Sequence, residues 1–320
     1  MNFLLAMLAA FLWGTTYAVT QYTLSGWPPL LLGALRALPA GLLLLAIKPN
    51  LPKVKDWPVL IRLATINIAL FFSLLFVMAQ TLPSAISGVG MVSVPVFAMV
   101  FYRVMYKARP SKTQFFSGAI LVSLAWILFD PLNLTLNPIG LMAMFSAICC
   151  IVIGSHIIKS LGNRMHWWSV LCWQLLIGGT LLTFVAVIHG FISPMQYRFA
   201  LENFSLLNAT GLAWLILFNT MLAYSLYVWL LNRMTVVEFT FAGISNPIAG
   251  ILMGLLLMGD KFTLNQYALM AMMICTSLIV PLLKRYNKRL KSRSHFLDEA
   301  NRVGAEVLPA QQTALLSSAS

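Results

Sequence analysis

The sequence predicts an all-α integral membrane protein with ten transmembrane helices, arranged as two inverted five-helix repeats. Three observations predict this fold class. Long apolar runs fill most of the chain, and the cationic residues fall on one side of a membrane when these runs are threaded through it. In addition, a proline motif recurs after 152 positions, followed in both places by a glutamine at the same distance.

The composition is typical of a membrane protein. Of the 320 residues, 60% are hydrophobic and 9% are charged, whereas about a quarter of the residues in a soluble domain are charged. A net charge of +13 could indicate nucleic-acid binding in a soluble protein, but here the cations lie between apolar runs and indicate membrane orientation. We therefore expect a lipid bilayer, and no nucleic acid, as a partner.

Ten apolar segments are long enough, or nearly so, to cross a bilayer, which takes about 20 residues. The bilayer core offers no water to backbone polar groups, and the segments lack the alternating polarity of a barrel, so we expect helices. The segments are 3–24, 30–47, 59–81, 84–105, 113–129, 138–158, 167–189, 207–231, 237–258 and 264–283. The first has no preceding Lys or Arg and no convincing cleavage site, so we interpret it as a retained span.

The cationic residues orient these spans. With the N-terminus in the cytoplasm, 18 of the 21 Lys and Arg residues fall on the cytoplasmic side, Arg198 and Lys261 fall outside, and Arg36 lies within the second span. This bias predicts ten spans with both termini in the cytoplasm. Residues 287–320 have no spanning potential and are basic, then rich in Ala, Gln and Ser. We expect them to form a cytoplasmic, largely disordered tail.

The recurring motif predicts two repeats. Ser93-Val94-Pro95 aligns with Ser245-Asn246-Pro247, and Gln114 aligns with Gln266 without a gap. Five spans per half would place the second half upside down relative to the first. The charges agree, because the loop after Pro95 carries four cations that its counterpart has nearly lost.

We therefore predict repeats over 1–133 and 134–286, in which Pro95 and Pro247 bend related helices around one central cavity. Inverted repeats of this kind are typical of secondary transporters, whose substrate site lies near the membrane midplane.

Two stretches also resemble a known family. They are LLAMLAAFLWGTTYAVTQYTLSGWPPLLLGALRALPAGLLLL, from Leu4 to Leu45, and SNPIAGILMGLLLMGDKFTLNQ, from Ser245 to Gln266. The sequence resembles the EamA-type ten-span members of the drug/metabolite transporter superfamily over residues 3–283. The resemblance implies transport of a small metabolite such as an amino acid, nucleoside or sugar. Asp260 matches an acidic residue that the family places after the proline, whereas Ala108 occupies the aligned position in the first half.

Arg36 is the one charged residue well inside a predicted span, about 10 Å below the extracytoplasmic surface at about 1.5 Å per residue. An intramembrane charge costs about 2.5–3.5 kcal/mol on the insertion scale, which makes it a functional candidate. Arg36 could bind an anionic group of a substrate. Alternatively, it could extend towards the surface or bind backbone carbonyls and so fix helix packing.

Neutral polar and aromatic residues in the spans provide the remaining candidates for substrate binding. They could line a cavity suited to small polar metabolites, or they could only join helices to each other. With Arg36, the candidates are Trp13, Asn67, Gln80, Ser93, Asn219, Tyr224, Tyr227 and Asn246. Asn219 and Tyr227 are eight residues apart and therefore share a helix face, with Tyr224 close by.

No Asp or Glu lies deep in a predicted span, and the histidines and acids are dispersed. We therefore expect no enzyme, no catalytic residue, no metal site and no cofactor. The sequence predicts a secondary active transporter of small polar metabolites that works by alternating access, and the family resemblance implies an exporter of amino acids or related compounds. It would be a monomer or homodimer in a bacterial inner membrane. The alternatives are a nucleotide-sugar or sugar-phosphate exchanger, which would need at least two cations facing the cavity, and a membrane protein without transport activity.

Overall fold

The structure is a computed structural model that describes residues 1–107, 109, 111–129, 136–259, 261, 263–276, 278–279, 282–283 and 286. All regular secondary structure in these residues is helical, and the chain up to Leu278 packs as one compact unit. Several predictions concern residues outside this set. They are the acidic position Asp260 and its counterpart Ala108, the repeat boundary at 133–134, and the tail 287–320.

The helices follow one another along the chain with short connections. They are α1 (Asn2–Thr23), α2 (Pro29–Ile47), α3 (Val54–Thr81), α4 (Ser84–Gly90, Met91–Ser93 and Val94–Tyr106), α5 (Lys112–Phe129), α6 (Pro138–Leu161), α7 (Trp167–Ile192), α8 (Pro194–Glu202), α9 (Leu206–Leu231), α10 (Val236–Met258) and α11 (264–276).

Eight of these helices are long and apolar enough to cross a membrane, and α5 is a shorter apolar helix. The eight are α1 to α4, α6, α7, α9 and α10, and their ends agree with the predicted spans to within a few residues. Helix α8 was not predicted, because it lies between the predicted spans 167–189 and 207–231. Pro194 opens this helix, where its fixed φ angle suits the first turn and its missing N–H is not needed.

The connections between helices meet at two ends of the unit. At what we call the basic end, the helix ends and loops of 48–56, 159–168 and 232–235 are joined by three contacts. These are Arg164 to Asp56 at 3.2 Å, Trp168 Nε1 to the Lys48 carbonyl at 3.0 Å, and Lys159 Nζ to the Met234 carbonyl at 3.1 Å. At the opposite end, Asn208 Nδ2 donates to the Thr23 carbonyl at 2.5 Å. The loops with many of the predicted cytoplasmic cations thus lie together.

Three helices in the described part of the chain contain π-helical segments; one, Gly254–Met258, ends α10, and the other two carry asparagines 152 residues apart. Thr65–Leu70 interrupts α3 and Leu215–Leu222 interrupts α9. Each segment carries a fully buried asparagine, Asn67 in α3 and Asn219 in α9. A π-helical turn changes the pattern of backbone hydrogen bonds and is often found at functional sites.

Helices α4 and α10 are both interrupted just before their proline. In α4, the 3₁₀ turn Met91–Ser93 precedes Pro95, and in α10, the α-helix stops after Ala242 and resumes at Ser245, before Pro247. Proline has no N–H to continue the helical hydrogen-bond ladder, and its ring clashes with the preceding turn. The two breaks are again 152 positions apart.

The loops that follow these helices also repeat their local structure. Lys107 and Gly259 end α4 and α10 with left-handed φ angles of 52° and 67°. Ser111 and Gln114 then form reciprocal side chain to backbone hydrogen bonds at the start of α5, and Thr263 and Gln266 do the same for α11. The glutamine match found in the sequence is therefore a capping box in both places.

The two halves of the chain pack on each other rather than side by side as separate bodies. Helix α2 runs along α7, α1 packs against α9 and α10, and α3 packs against α6. The backbones of α1 and α10 approach closely, because a Cβ atom on Gly14 would stand 2.2 Å from the Asn246 backbone carbonyl oxygen. Only glycine lets two helices come this near.

Replacement of Gly14 by alanine should therefore separate α1 from α10. We expect the Gly14→Ala variant to lose about 1–3 kcal/mol of stability, as overpacked sites do, measured by thermal unfolding in detergent. Gly190→Ala is the matched control, because its new Cβ would meet Tyr197 at 3.6 Å or more, an ordinary contact. Equal unfolding temperatures for the two variants would contradict the close approach.

Candidate functional site

A small cavity lies at the centre of the helical unit. Its volume is about 50 Å³, and its walls come from α1, α3, α4, α6 and α10. The lining residues are mainly apolar, with Trp13, Ser155, Thr240 and Asn246 as the groups that can form hydrogen bonds. The cavity thus lies between helices of the first half and helices of the second half.

A cluster of aromatic rings forms one side of this cavity. The Trp13 ring packs edge-on against Tyr224 and Tyr227, with centroids 5.1 and 5.2 Å apart, and against Phe239 at 6.2 Å. Phe72 extends the cluster by packing on Tyr224 at 5.5 Å. Such edge-to-face pairs are favourable, so the cluster forms a continuous aromatic wall.

Asn219 connects this wall to α1. Its backbone carbonyl oxygen accepts a hydrogen bond from Trp13 Nε1 at 3.0 Å, and its side-chain Nδ2 donates to Thr16 Oγ1 at 2.6 Å. Thr15 Oγ1 lies 3.3 Å from Asn219 Oδ1 and accepts from Trp214 Nε1 at 2.9 Å. The π-helical turn thus presents one residue whose backbone and side chain both bind α1.

Arg36 reaches the same carbonyl from α2. Its side chain is 1% exposed, its Nη2 donates to the Asn219 carbonyl at 3.1 Å, and its Nε donates to Thr220 Oγ1 at 2.7 Å. The guanidinium carbon lies 4.4 Å from the centre of the Phe72 ring, a cation–π arrangement. None of these partners is a carboxylate, and Nη1 has no hydrogen-bond partner.

Asn67 forms a buried pair with the side-chain amide of Gln174. Asn67 Nδ2 donates to Gln174 Oε1 at 2.8 Å, while Asn67 Oδ1 and Gln174 Nε2 have no partner. The Asn67 carbonyl faces the Tyr224 hydroxyl at 3.5 Å. The two π-helical asparagines therefore both contact the aromatic wall through their carbonyl oxygens.

The other candidates divide into two groups. Tyr227 shares a hydrogen bond with Ser155 at 2.7 Å, and Asn246 lines the cavity beside Tyr17, with its Oδ1 unpaired. Gln80 donates instead to the Trp27 carbonyl at 2.5 Å, and Ser93 to the Gly90 carbonyl at 2.7 Å. The structure thus brings seven of the nine candidates to the centre and leaves Gln80 and Ser93 outside it.

Several central residues were missing from the predicted set, among them Phe72, Ser155, Gln174 and Thr220. Gln174 and Thr220 are polar residues in apolar spans, a signal that was present in the sequence. Ser155 and Phe72 are of types too common in membrane helices to be singled out. Among the described residues, no three His, Cys, Asp or Glu side chains lie close enough to hold a metal ion.

Comparison with known proteins identifies the family. The EamA-like transporter family matches residues 1–129 and 138–281. The chain belongs to the EamA-like transporter family. It is therefore an integral membrane transporter of the drug/metabolite transporter superfamily and not an enzyme, as the sequence predicted.

Relatives of this EamA-like chain span nearly its whole length. Protein PecM of Dickeya dadantii (strain 3937) is 28% identical over 290 residues, which cover 89% of this chain and 94% of PecM. The uncharacterized inner membrane transporter YedA of Escherichia coli (strain K12) is 28% identical over 288 residues, 85% of this chain and 87% of YedA. A solved crystal structure has the same fold, with a TM-score of 0.65 and 16% identity over 89% of this chain and 98% of that chain.

The contact between Arg36 and Thr220 can be tested without a substrate. Thr220→Val removes the acceptor of Arg36 Nε and leaves a buried charged donor unpaired, so we expect a loss of about 1–3 kcal/mol in unfolding free energy. Thr183→Val is the matched control, because Thr183 Oγ1 donates only to the Gly179 carbonyl of its own helix. Its loss should be about 0.6 kcal/mol or less. Equal losses would show that Thr220 does not hold Arg36.

Proposed function

We propose that this EamA-like chain is a secondary active transporter that exports small polar metabolites with an anionic group, amino acids or related compounds, by alternating access. The observation that carries the proposal is the buried guanidinium of Arg36, which has a free Nη1 donor and no acidic partner among its hydrogen bonds. A substrate carboxylate would complete its hydrogen bonds and neutralise its charge.

A charge buried away from water has a high free-energy cost. Removing an ion from water costs several kcal/mol, and the cost is offset only by an opposite charge and by hydrogen bonds in good geometry. Arg36 has two hydrogen bonds to neutral oxygens and lies over two aromatic rings, Phe72 at 4.4 Å and Phe76 at 5.9 Å. Arginine is suited to bind a carboxylate with two parallel N–H donors. A site of this kind would therefore bind an anionic group more tightly than a neutral one.

The aromatic wall suggests how a zwitterion could be recognised. Trp13, Tyr224 and Tyr227 present π faces and edges within one cluster, and π faces attract ammonium groups. Trp13 and Arg36 share the Asn219 carbonyl as acceptor. A carboxylate bound at Arg36 would thus have an aromatic surface nearby for an amino group, which favours amino acids over simple anions.

Movement is required before a metabolite can bind. A cavity of about 50 Å³ has room for only a few water molecules, so the central helices must separate to admit an amino acid. The π-helical segments in α3 and α9 and the breaks in α4 and α10 supply points where helices can bend. All four lie close to the proposed site.

We also propose that the chain forms ten spans, with inverted repeats over 1–133 and 134–286, both termini in the cytoplasm, and an inner-membrane location. The local structures repeated 152 residues apart and the separate family matches to 1–129 and 138–281 support two repeats. The name of YedA supports the inner membrane. A phosphorylated substrate is less favoured, because Arg36 is the one fully buried cation among the described residues.

The inverted topology predicts that Lys107 and Lys261, which lie in the loops that follow α4 and α10, are on opposite sides of the membrane. In a variant whose four native cysteines are replaced by serine, Lys107→Cys should react with a membrane-impermeant thiol reagent only from the cytoplasm. Lys261→Cys should react only from outside. Labelling of both positions from one side would contradict the inversion.

Transport by Arg36→Gln tests the substrate site. Purified protein in liposomes should show saturable flux of at least one labelled amino acid from a panel. Arg36→Gln should raise the apparent KM by about tenfold or more, since a charge-assisted hydrogen bond contributes about 1.5–3 kcal/mol. Arg62→Gln, at an exposed position in α3, is the matched control and should transport normally.

The chemistry of the substrate can be tested in the same assay. One competitor is the amine that remains when the carboxylate of a transported amino acid is removed. In the wild type, this amine should compete at least about tenfold more weakly than the amino acid itself. If Arg36 does not bind the carboxylate, the amine should compete with the same potency in the wild type and in Arg36→Gln. Unchanged amino acid uptake by Arg36→Gln, at equal amounts of folded protein, would overturn the proposed role.

A further inference from the structure

A second, larger concavity lies on the outer face of the helical unit, between α4 and α5. Its volume is about 600 Å³, and all but one of the residues that line it are apolar. Six of them form its walls: Val96, Met99, Val100, Val104, Phe115 and Val122. The remaining polar residue is Arg103. This groove is separate from the central cavity and from Arg36.

The shape of the groove follows from the packing of two antiparallel helices. Helices α4 and α5 touch where Met99 packs over Gly118, and the groove runs beside this contact. Val100, Val104 and Phe115 are 57%, 72% and 60% exposed, so the groove is open to the surroundings of the protein. From Val96 to Arg103 it extends about 10 Å along the helix axis, about a third of the hydrocarbon core.

Cationic residues gather at one end of the groove. Arg103 lies in the last turn of α4, Lys107 directly follows this helix, Arg109 lies in the loop, and Lys112 begins α5, all with exposed side chains. Arg103 donates one guanidinium N–H to the Lys107 carbonyl at 3.3 Å, which leaves its other guanidinium N–H groups available to a ligand. The sequence from Ser84 to Phe129 contains no Asp or Glu, so no acid on these two helices neutralises the cluster.

We propose that the groove binds one acyl chain of an anionic phospholipid, whose phosphate headgroup is held by Arg103, Lys107 and Lys112. The apolar walls match the hydrocarbon chain, and the cationic end matches the headgroup in charge and in position along the membrane normal. Basic sites between membrane helices bind anionic headgroups in this way, because the low dielectric strengthens the attraction. The site is independent of the proposed transport mechanism.

A second copy of the chain is a poorer occupant. A two-fold symmetric contact through this face would bring the same patch together on both subunits. The four cations at the end of the groove would then approach their own copies, and juxtaposed like charges oppose association. The charge pattern therefore favours a lipid of opposite charge over a second subunit.

The test compares lipid binding to the purified full-length protein by native mass spectrometry. Phosphatidylglycerol and phosphatidylcholine with identical acyl chains are titrated separately, and the dissociation constant of the first bound lipid is measured. We expect phosphatidylglycerol to bind more tightly, with a preference that falls as salt concentration rises. Arg103→Gln should weaken phosphatidylglycerol binding about fivefold and leave phosphatidylcholine unchanged.

Two further variants separate the headgroup from the groove. Ala119→Phe places a ring in the groove from an exposed position of α5 and should weaken both lipids. Arg233→Gln is the matched control, because Arg233 is also exposed and donates to a backbone carbonyl four residues away, that of Trp229. It should leave the preference unchanged. Thermal unfolding should confirm that all three variants remain folded.

Three results would overturn the proposal. The first is equal binding of the two lipids by the wild type. The second is an equal loss of phosphatidylglycerol binding in Arg103→Gln and Arg233→Gln, which would indicate general attraction to a basic surface. The third is an Ala119→Phe variant that binds lipid normally but changes from dimer to monomer, which would identify the groove as a subunit interface.

Discussion

The backbone carbonyl of Asn219 is the acceptor on which the centre of the molecule depends. It receives one hydrogen bond from Trp13 and one from Arg36, and so joins α1, α2 and α9 at a single atom. An ordinary α-helical carbonyl is occupied by its own helix, whereas a π-helical turn alters that pattern. The irregularity in α9 therefore allows a charged residue to be buried without an acid beside it.

A buried asparagine within a π-helical segment occurs twice in the described part of the chain. Asn67 in α3 lies at the position equivalent to Asn219, within its own π-helical segment, and its carbonyl faces Tyr224. The resemblance ends there, because Asn67 binds Gln174 and no arginine. The two similar backbone segments thus bind different side chains, Arg36 at Asn219 and Gln174 at Asn67. An asymmetric site between the two halves would suit the proposed zwitterionic substrate, whose carboxylate and ammonium ends need different partners.

The same physical constraint applies to the central site and to the groove between α4 and α5. A cation in the membrane needs either an anion or a way to reach water. Arg36 has neither within the structure, which is why a substrate anion is its expected partner. Arg103 lies at a helix end and is exposed, so a headgroup anion can approach it from the bilayer without any movement of the helices.

The sequence by itself determined the helical fold class, nearly all the span boundaries, the family and the recurrence around Pro95 and Pro247, because apolar run length and proline position depend only on local chemistry. It also singled out Arg36, Trp13 and Asn219. Only the tertiary structure decided that these three share one carbonyl, that Thr220 and Gln174 belong to the centre, and that Gln80 does not. Local pattern cannot predict these contacts, because they join residues far apart in sequence through helix packing and π-helical turns.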